Sequence, residues 1–226
     1  MTTGKAPAKR GRPARFSREQ IVDAVAAMLL ADPRTPLTIA RAAEAVGAKP
    51  MSLYRHFADR DDLVAAVAQR LFAESRVPTE PDATWQEEVA AWMRSVYRMA
   101  TRVPQLVQLA ASGESAGWIV DSAHLAAIVE RSGVHDERLV AEAVYWVSTT
   151  TLGHALIYAA GEQTVTLDRL QKSLEWMEPE DAQQVTRLLP HLELLRESGF
   201  ERIVEWTIEA VEARLTPRRR RRRTRP

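Results

Sequence analysis

The chain of 226 residues contains no cysteine, which excludes disulfides, thiolate metal sites and cysteine nucleophiles. Glycine is sparse, at 9 residues, and β-branched runs at period two are absent, so a sheet is not expected. The five histidines, at 56, 124, 135, 154 and 191, show no HExxH or other ligand spacing, and no glycine-rich loop is placed to cradle a phosphate. Neither a metal nor a cofactor is expected. An apolar leader is also missing: the basic start runs into Phe16-Ser17-Arg18-Glu19, which implies a cytoplasmic location. One nucleophile-like pattern occurs, Gly113-Glu114-Ser115-Ala116-Gly117. That motif needs a strand before it, whereas Leu106 to Ala111 is a helical stretch opened by Pro104. An interhelix loop is expected there, and no enzyme.

What remains is 46% apolar, long enough for one large or two modest domains, and patterned for an all-α fold. The net charge of +1 conceals a segregation. Residues 1–72 hold 12 Lys/Arg against 7 Asp/Glu, residues 73–216 hold 12 against 23, and the last ten residues hold 7 arginines. A basic head on an acidic body suits a phosphate-binding domain joined to one that does not touch nucleic acid.

Helix boundaries are well marked. Ser17 and Gln20 form a capping box, Phe16 can staple against Ile21, and Asp32-Pro33 ends the first helix. Thr38 is an N-cap, after which Ile39, Ala42, Ala43 and Val46 share a face. Gly47 suits the left-handed turn that follows, and Pro50 the first turn of the next helix. Leu53 and Phe57, four apart, point inward and leave Lys49, Ser52, Tyr54, Arg55 and His56 largely outside. This is a helix-turn-helix whose second helix fits a DNA major groove. Asp59 caps a fourth helix to about Ser75, the natural lever between domains, with Asp61 and Asp62 favouring its N-terminus.

The segment from Phe16 to Leu63 resembles the DNA-binding domain of the TetR/AcrR family of bacterial transcriptional regulators. The likeness rests on Thr38, Ala43, Gly47, Leu53, Tyr54, His56, Phe57 and Leu63. It implies an N-terminal three-helix helix-turn-helix domain and a C-terminal helical bundle for ligand binding and dimerisation. Tyr54 and His56 can donate to phosphate oxygens, a role the resemblance also assigns them. It places Arg60 on a phosphate as well, and makes the helix start a base-reading surface: Lys49, Pro50, Met51 and Ser52, with Arg55 one turn on. Lys49 and Arg55 can reach guanine O6/N7, and Met51 a thymine methyl.

The expected organisation is a basic disordered arm at 1–16, the helix-turn-helix domain at 17–64, an effector-binding and dimerisation domain at 65–215, and an Arg-rich tail at 216–226. Arg12 and Arg15 in the arm either join the DNA contacts or simply solubilise. The arginine tail has non-specific nucleic-acid affinity or is only solvated.

In the second domain a linker spans 76–83, and Thr84 with Glu87 caps a helix carrying Trp85, Val89, Trp92, Met93 and Val96. Another helix runs from about Trp118 to Arg131, and Asp136 caps Leu139 to Ala160. That last segment holds a single charge, Glu142, and must be covered on every side. A membrane span is excluded by Glu142, His154 and Ser148 to Thr151, so a partner subunit is the simplest cover. Beyond it, breaks are expected at Pro179, Pro190 and Gly199, then a last helix from Phe200 to Leu215. The two helices imply a homodimer seam that includes Ala155, Ala159, Ile203, Ile208 and Val211. Trp92, Val96, Leu109, Trp118, Trp146, Thr150 and His154 are either core or the wall of the effector site that the resemblance implies. His154 is either the polar contact of that site or a satisfied core histidine.

The function expected is a homodimeric repressor, held on a palindromic double-stranded DNA operator in the nucleoid and released by a hydrophobic or aromatic small molecule. The alternative is a TetR-like protein answering to a protein partner or to no ligand.

Overall fold

The structure is a computed structural model that describes residues 16–105 apart from 77 and 79, then 117–159 and 172–216; at 75, 117–121, 158–159 and 192–198 it describes the backbone alone. Arg12, Arg15, Leu109, the GxSxG motif up to Ala116 and the arginine tail lie outside the described residues, as do the side chains of Trp118 and Ala159.

Helix α1, Arg18–Ala31, begins with the reciprocal Ser17–Gln20 cap and ends where the Asp32 N–H donates to the Met28 carbonyl at 2.9 Å. Helix α2, Ile39–Ala45, starts at Thr38, whose hydroxyl oxygen accepts from the Arg41 N–H. Gly47, at φ +61°, makes the turn that an L side chain resists. Helix α3 is regular only over Pro50–Leu53. The chain then tightens, with the His56 N–H donating to the Leu53 carbonyl three residues back at 2.8 Å. Tyr54, Arg55 and His56 therefore sit on a turn. Helix α4, Arg60–Ser75, is capped by the Asp59 carboxylate accepting from the Asp62 N–H at 2.8 Å.

These helices enclose one core that includes Ile21, Val25, Leu29, Leu37, Leu53, Phe57, Leu63, Val67 and Leu71. The expected boundary at 64/65 falls inside continuous α4, because Val67, Ala68 and Leu71 still face this core. Met99 and Val103 reach it from the end of α5, Trp85–Arg102.

Helix α5 starts with the Thr84–Glu87 capping box. Helix α6, Gly117–Glu130, is followed by a turn with Gly133 at φ +85°. Helix α7, Glu137–Ala159, begins with Asp136 accepting from the Arg138 and Leu139 N–H groups. With α8, Pro179–Leu215, they form a second core around Val89, Trp92, Met93, Val96, Leu125, Val129, Val144, Val147, Val204 and Val211.

Helix α8 corrects the expectation of breaks at Pro190 and Gly199, since both lie inside one 37-residue helix and only Pro179 stands at its start. An interior proline loses one hydrogen bond and crowds the carbonyl four residues back, at ~3 kcal/mol. Pro190 is exposed, so water can hydrate the carbonyl it leaves without an intrahelical partner. Among the described residues no helix is long and apolar enough to cross a membrane.

Candidate nucleic-acid interface

The outward face of the helix-turn-helix is built on inward anchors. Leu53 and Phe57 are each 1% exposed, and between and before them Met51 is 76% and Tyr54 48% exposed. Lys49, Pro50 and Arg55 are also exposed, while Ser52 and His56 are half-buried. Lys49, Met51, Tyr54 and Arg55 thus all stand open to solvent, a mix of polar and apolar groups. A groove of about 340 Å³ is lined by Phe16 and Ile21 together with Ala48, Lys49, Ser52, Arg55 and His56.

Three expected contacts are partly committed elsewhere. The Ser52 hydroxyl donates to the Lys49 carbonyl at 2.5 Å, leaving its oxygen to accept. The Thr38 hydroxyl oxygen accepts the α2 cap at 3.2 Å, leaving its proton to donate. Arg60 donates from Nε to the Leu37 carbonyl at 2.9 Å, and its Nη1 lies 3.5 Å from Asp61. Arg60 is therefore first a brace for the α1–α2 loop, with only part of its guanidinium left for a phosphate.

The turn is also held by a pair whose role the sequence did not reveal: Arg18, and Asp62, expected only to favour the α4 N-terminus. Arg18 on α1 donates to the Asp62 carboxylate on α4 at 2.6 and 3.3 Å. It also donates to the His56 carbonyl and lies over the Phe57 ring, 4.3 Å from its centroid. Asp62 accepts in addition from the Ala58 N–H at 3.0 Å. The Arg18 guanidinium, first by its hydrogen bond, holds the Asp62 carboxyl below the usual carboxylate range. No local pattern signals this clamp, because its partners are 38 and 44 residues apart.

The effector and dimer residues separate. Trp92 and Val96 on α5 are buried in the second core, whereas Trp146 on α7 is 53% exposed and not part of that core. Thr150 and His154 are half-buried. His154 lies 5.6 Å from the Tyr97 ring and 5.5 Å from that of Phe200, which stack on each other at 3.8 Å. Burial there pushes the His154 imidazole below its ordinary pKa.

Ala155 is fully buried beside Ala100 and Tyr97, and Val211 belongs to the second core, so neither lies on an outer seam. Ile203 and Ile208 are half-buried against that same core. The apolar stripe of 200–215 thus faces its own subunit. Among the described residues, the large apolar groups exposed in this half of the chain are Tyr145, Trp146, Leu156 and Ile157 on α7, Leu188 and Trp206 on α8, and Trp176 and Met177 just before α8. These two helices are tied by Arg214, which donates to Glu142 at 2.7 and 3.0 Å.

Comparison with known proteins gives this arrangement a family. Residues 77–205, more than half the chain, match the profile of the tetracyclin repressor-like C-terminal domain. An HTH-type transcriptional regulator of Saccharopolyspora erythraea is 28% identical over 102 residues, covering 45% of this chain and 43% of that protein, so the chain spans less than half of that relative's length. The Streptomyces coelicolor TetR family protein ActR in complex with (S)-DNPA is 25% identical at a TM-score of 0.72, over 90% of this chain and 100% of that one. BioQ with its double-stranded DNA operator is 24% identical at a TM-score of 0.53, over 66% of this chain and 91% of that one. Helix-turn-helix, second helical core and family profile agree: the chain belongs to the TetR family of transcriptional regulators.

Proposed function

We propose that this regulator is a homodimeric repressor that grips a palindromic DNA operator with two copies of the Lys49–His56 surface and lets go when a hydrophobic or aromatic small molecule enters its second domain. One observation carries the reading. Lys49, Met51, Tyr54 and Arg55 stand exposed along α3 and the turn after it, braced from below by Leu53, Phe57 and the Arg18–Asp62 clamp. Lys49 and Arg55 then read base edges, while Tyr54 and His56, with what remains of Thr38 and Arg60, fix the phosphate register. The outward Trp146, Ile157 and Trp206 support the dimer, because large apolar side chains left exposed on two neighbouring helices offer a surface for a partner to cover. A second subunit supplies the two-fold axis that a palindrome needs. Release is a coupling free energy between the two sites, typically ~1–3 kcal/mol and reciprocal.

Small-molecule control is supported by ActR, which holds (S)-DNPA. The sealing of Trp92 and Val96 in a packed core favours the second reading, a DNA-binding relative that answers to a protein partner or to no ligand.

Selection from a random-sequence duplex library tests the first part. The full chain should enrich an inverted repeat, and enrichment of no repeat contradicts the reading. Thermal unfolding with and without (S)-DNPA, a ready aromatic probe, then separates the two control schemes. Saturation to a hundred times Kd stabilises by about 2.7 kcal/mol and should weaken binding to the enriched duplex. Stabilisation without any effect on DNA binding favours the second scheme.

A further inference from the structure

The loop joining α1 to α2 is tied internally by Asp32, which Thr35 and Arg41 hydrogen-bond, anchored by the buried Leu37 side chain, and held further by side chains from outside it. Arg41 on α2 donates to the Thr35 and Pro36 carbonyls at 2.7 and 3.0 Å, and Arg60 on α4 donates to the Leu37 carbonyl. The remaining grip comes from Gln105, three residues past the end of α5 and about 70 residues away in sequence. Its Oε1 accepts from the Leu37 N–H at 2.8 Å, and its Nε2 donates to the Pro33 and Thr35 carbonyls at 3.0 and 3.2 Å. A single primary amide thus satisfies three backbone groups of the loop, matching donor to acceptor throughout.

The site is built for this contact. Leu37 is 1% exposed, so its N–H has little access to water. Met99 and Val103, six and two residues earlier, sink into the core of the DNA-binding unit and fix where Gln105 emerges. The Leu37 peptide groups are divided between two elements: Arg60 holds the carbonyl from α4, and Gln105 holds the amide from the α5 end. One residue later, Thr38 caps α2. Any movement of the α5 end relative to α4 is therefore passed to the helix-turn-helix at its first residue.

We propose that Gln105 is a positioning residue for DNA recognition, a latch from the regulatory unit that sets the orientation of the reading surface and hence the half-site spacing the protein accepts. The spacing claim rests on the dimeric reading given above; the latch itself does not. Without Gln105 no side chain from the second domain holds the α1–α2 loop, among the described residues, and the reading surface is freer to turn about α4.

Two variants test it in the full chain. Gln105→Met keeps size and removes every hydrogen bond. Gln105→Glu keeps the acceptor for Leu37 and removes the donors. Hydrogen exchange of the 33–38 segment needs no DNA: Gln105→Met should speed it about tenfold, as expected for a buried amide that loses its acceptor. Gln105→Glu should leave Leu37 slow. On the inverted repeat enriched by the wild type, one base pair inserted at the centre moves the half-sites by about 3.4 Å and about 35°. Wild-type affinity should fall at least about tenfold on that duplex, and Gln105→Met affinity less than about threefold, with the preferred bases unchanged. A purely structural role would instead weaken every spacing alike and overturn the proposal. So would unchanged exchange in both variants. If the wild type enriches no inverted repeat, the dimeric reading fails, and exchange still decides the latch.

Discussion

Arg18 braces the candidate reading surface from α1. Its guanidinium is divided between Asp62, the His56 carbonyl and the Phe57 ring, so α1 and α4 jointly hold the turn bearing Tyr54, Arg55 and His56. Asp62→Asn keeps the shape and removes the charge. Affinity for the enriched duplex should fall by about 1 kcal/mol, the scale of a part-exposed ion pair, with base preference intact. The sign of the pH dependence follows from the depressed Asp62 pKa. The pair contributes fully at neutral pH, above the unfolded carboxyl pKa of about 3.9, and is lost as pH falls below that through the lower folded value. Acid unfolding of wild type and Asp62→Asn should therefore converge below about pH 4, and a constant difference in their denaturant midpoints across that range would refute the assignment. The exposed residues divide differently. Tyr54→Phe, which removes only the hydroxyl, should weaken all operator variants alike. Arg55→Ala should change the preferred base at one position per half-site, by ~1–3 kcal/mol if its contact is bidentate. Repeating the duplex selection with each variant checks both, and the opposite pattern would exchange the two roles.

At the scale of helices, what the sequence made legible was what local chemistry determines. Caps at Ser17, Thr38, Asp59, Thr84 and Asp136 and the turn at Gly47 lie where the residues demand, because each depends on neighbours within four positions. The inward placement of Leu53 and Phe57 was legible for the same reason. What failed needed tertiary information. Pro190 and Gly199 are helix breakers by propensity, yet α8 runs through both. The faces of α7 and α8 were harder still: with apolar residues on nearly every side, periodicity cannot say which face meets the subunit's own core. Ala155 was read as a seam residue, but it packs under Ala100 and Tyr97, while Trp146, read as either core or pocket wall, is half exposed. Gln105 and the Arg18–Asp62 pair were illegible because their partners are dozens of residues distant. His154 carries a prediction at this scale. Burial lowers its pKa, so protonation is easier in the unfolded chain, and its effect appears as pH falls from about 6.5 toward the lower folded value. Wild-type stability should drop relative to that of His154→Phe over this interval, read as urea midpoints at pH 7.5 and 5.5. Parallel changes in the two proteins would mean that His154 titrates as freely folded as unfolded.

The whole molecule joins a basic head to an acidic body, and its two cores meet through α4 and the end of α5. Its outer apolar face is the place to test assembly. A carboxylate at Ala155 would destabilise the subunit itself, whereas Trp146→Glu or Ile157→Glu alters only a surface that a partner would cover. Each should shift sedimentation from dimer to the 25.4 kDa monomer with the thermal midpoint of the second core little changed. A wild type that sediments as a monomer at micromolar concentration would remove the dimer from the account. With it would go the palindrome, since one reading surface recognises one half-site. Hydroxyl-radical footprinting of the wild-type chain on its enriched duplex puts surface, dimer and spacing to a single test. The account predicts two protected patches related by a two-fold axis, their centres about 34 Å apart or a multiple of that, with protection lost in both patches when Trp146→Glu replaces the wild type. A single protected patch, undiminished by Trp146→Glu, would contradict it.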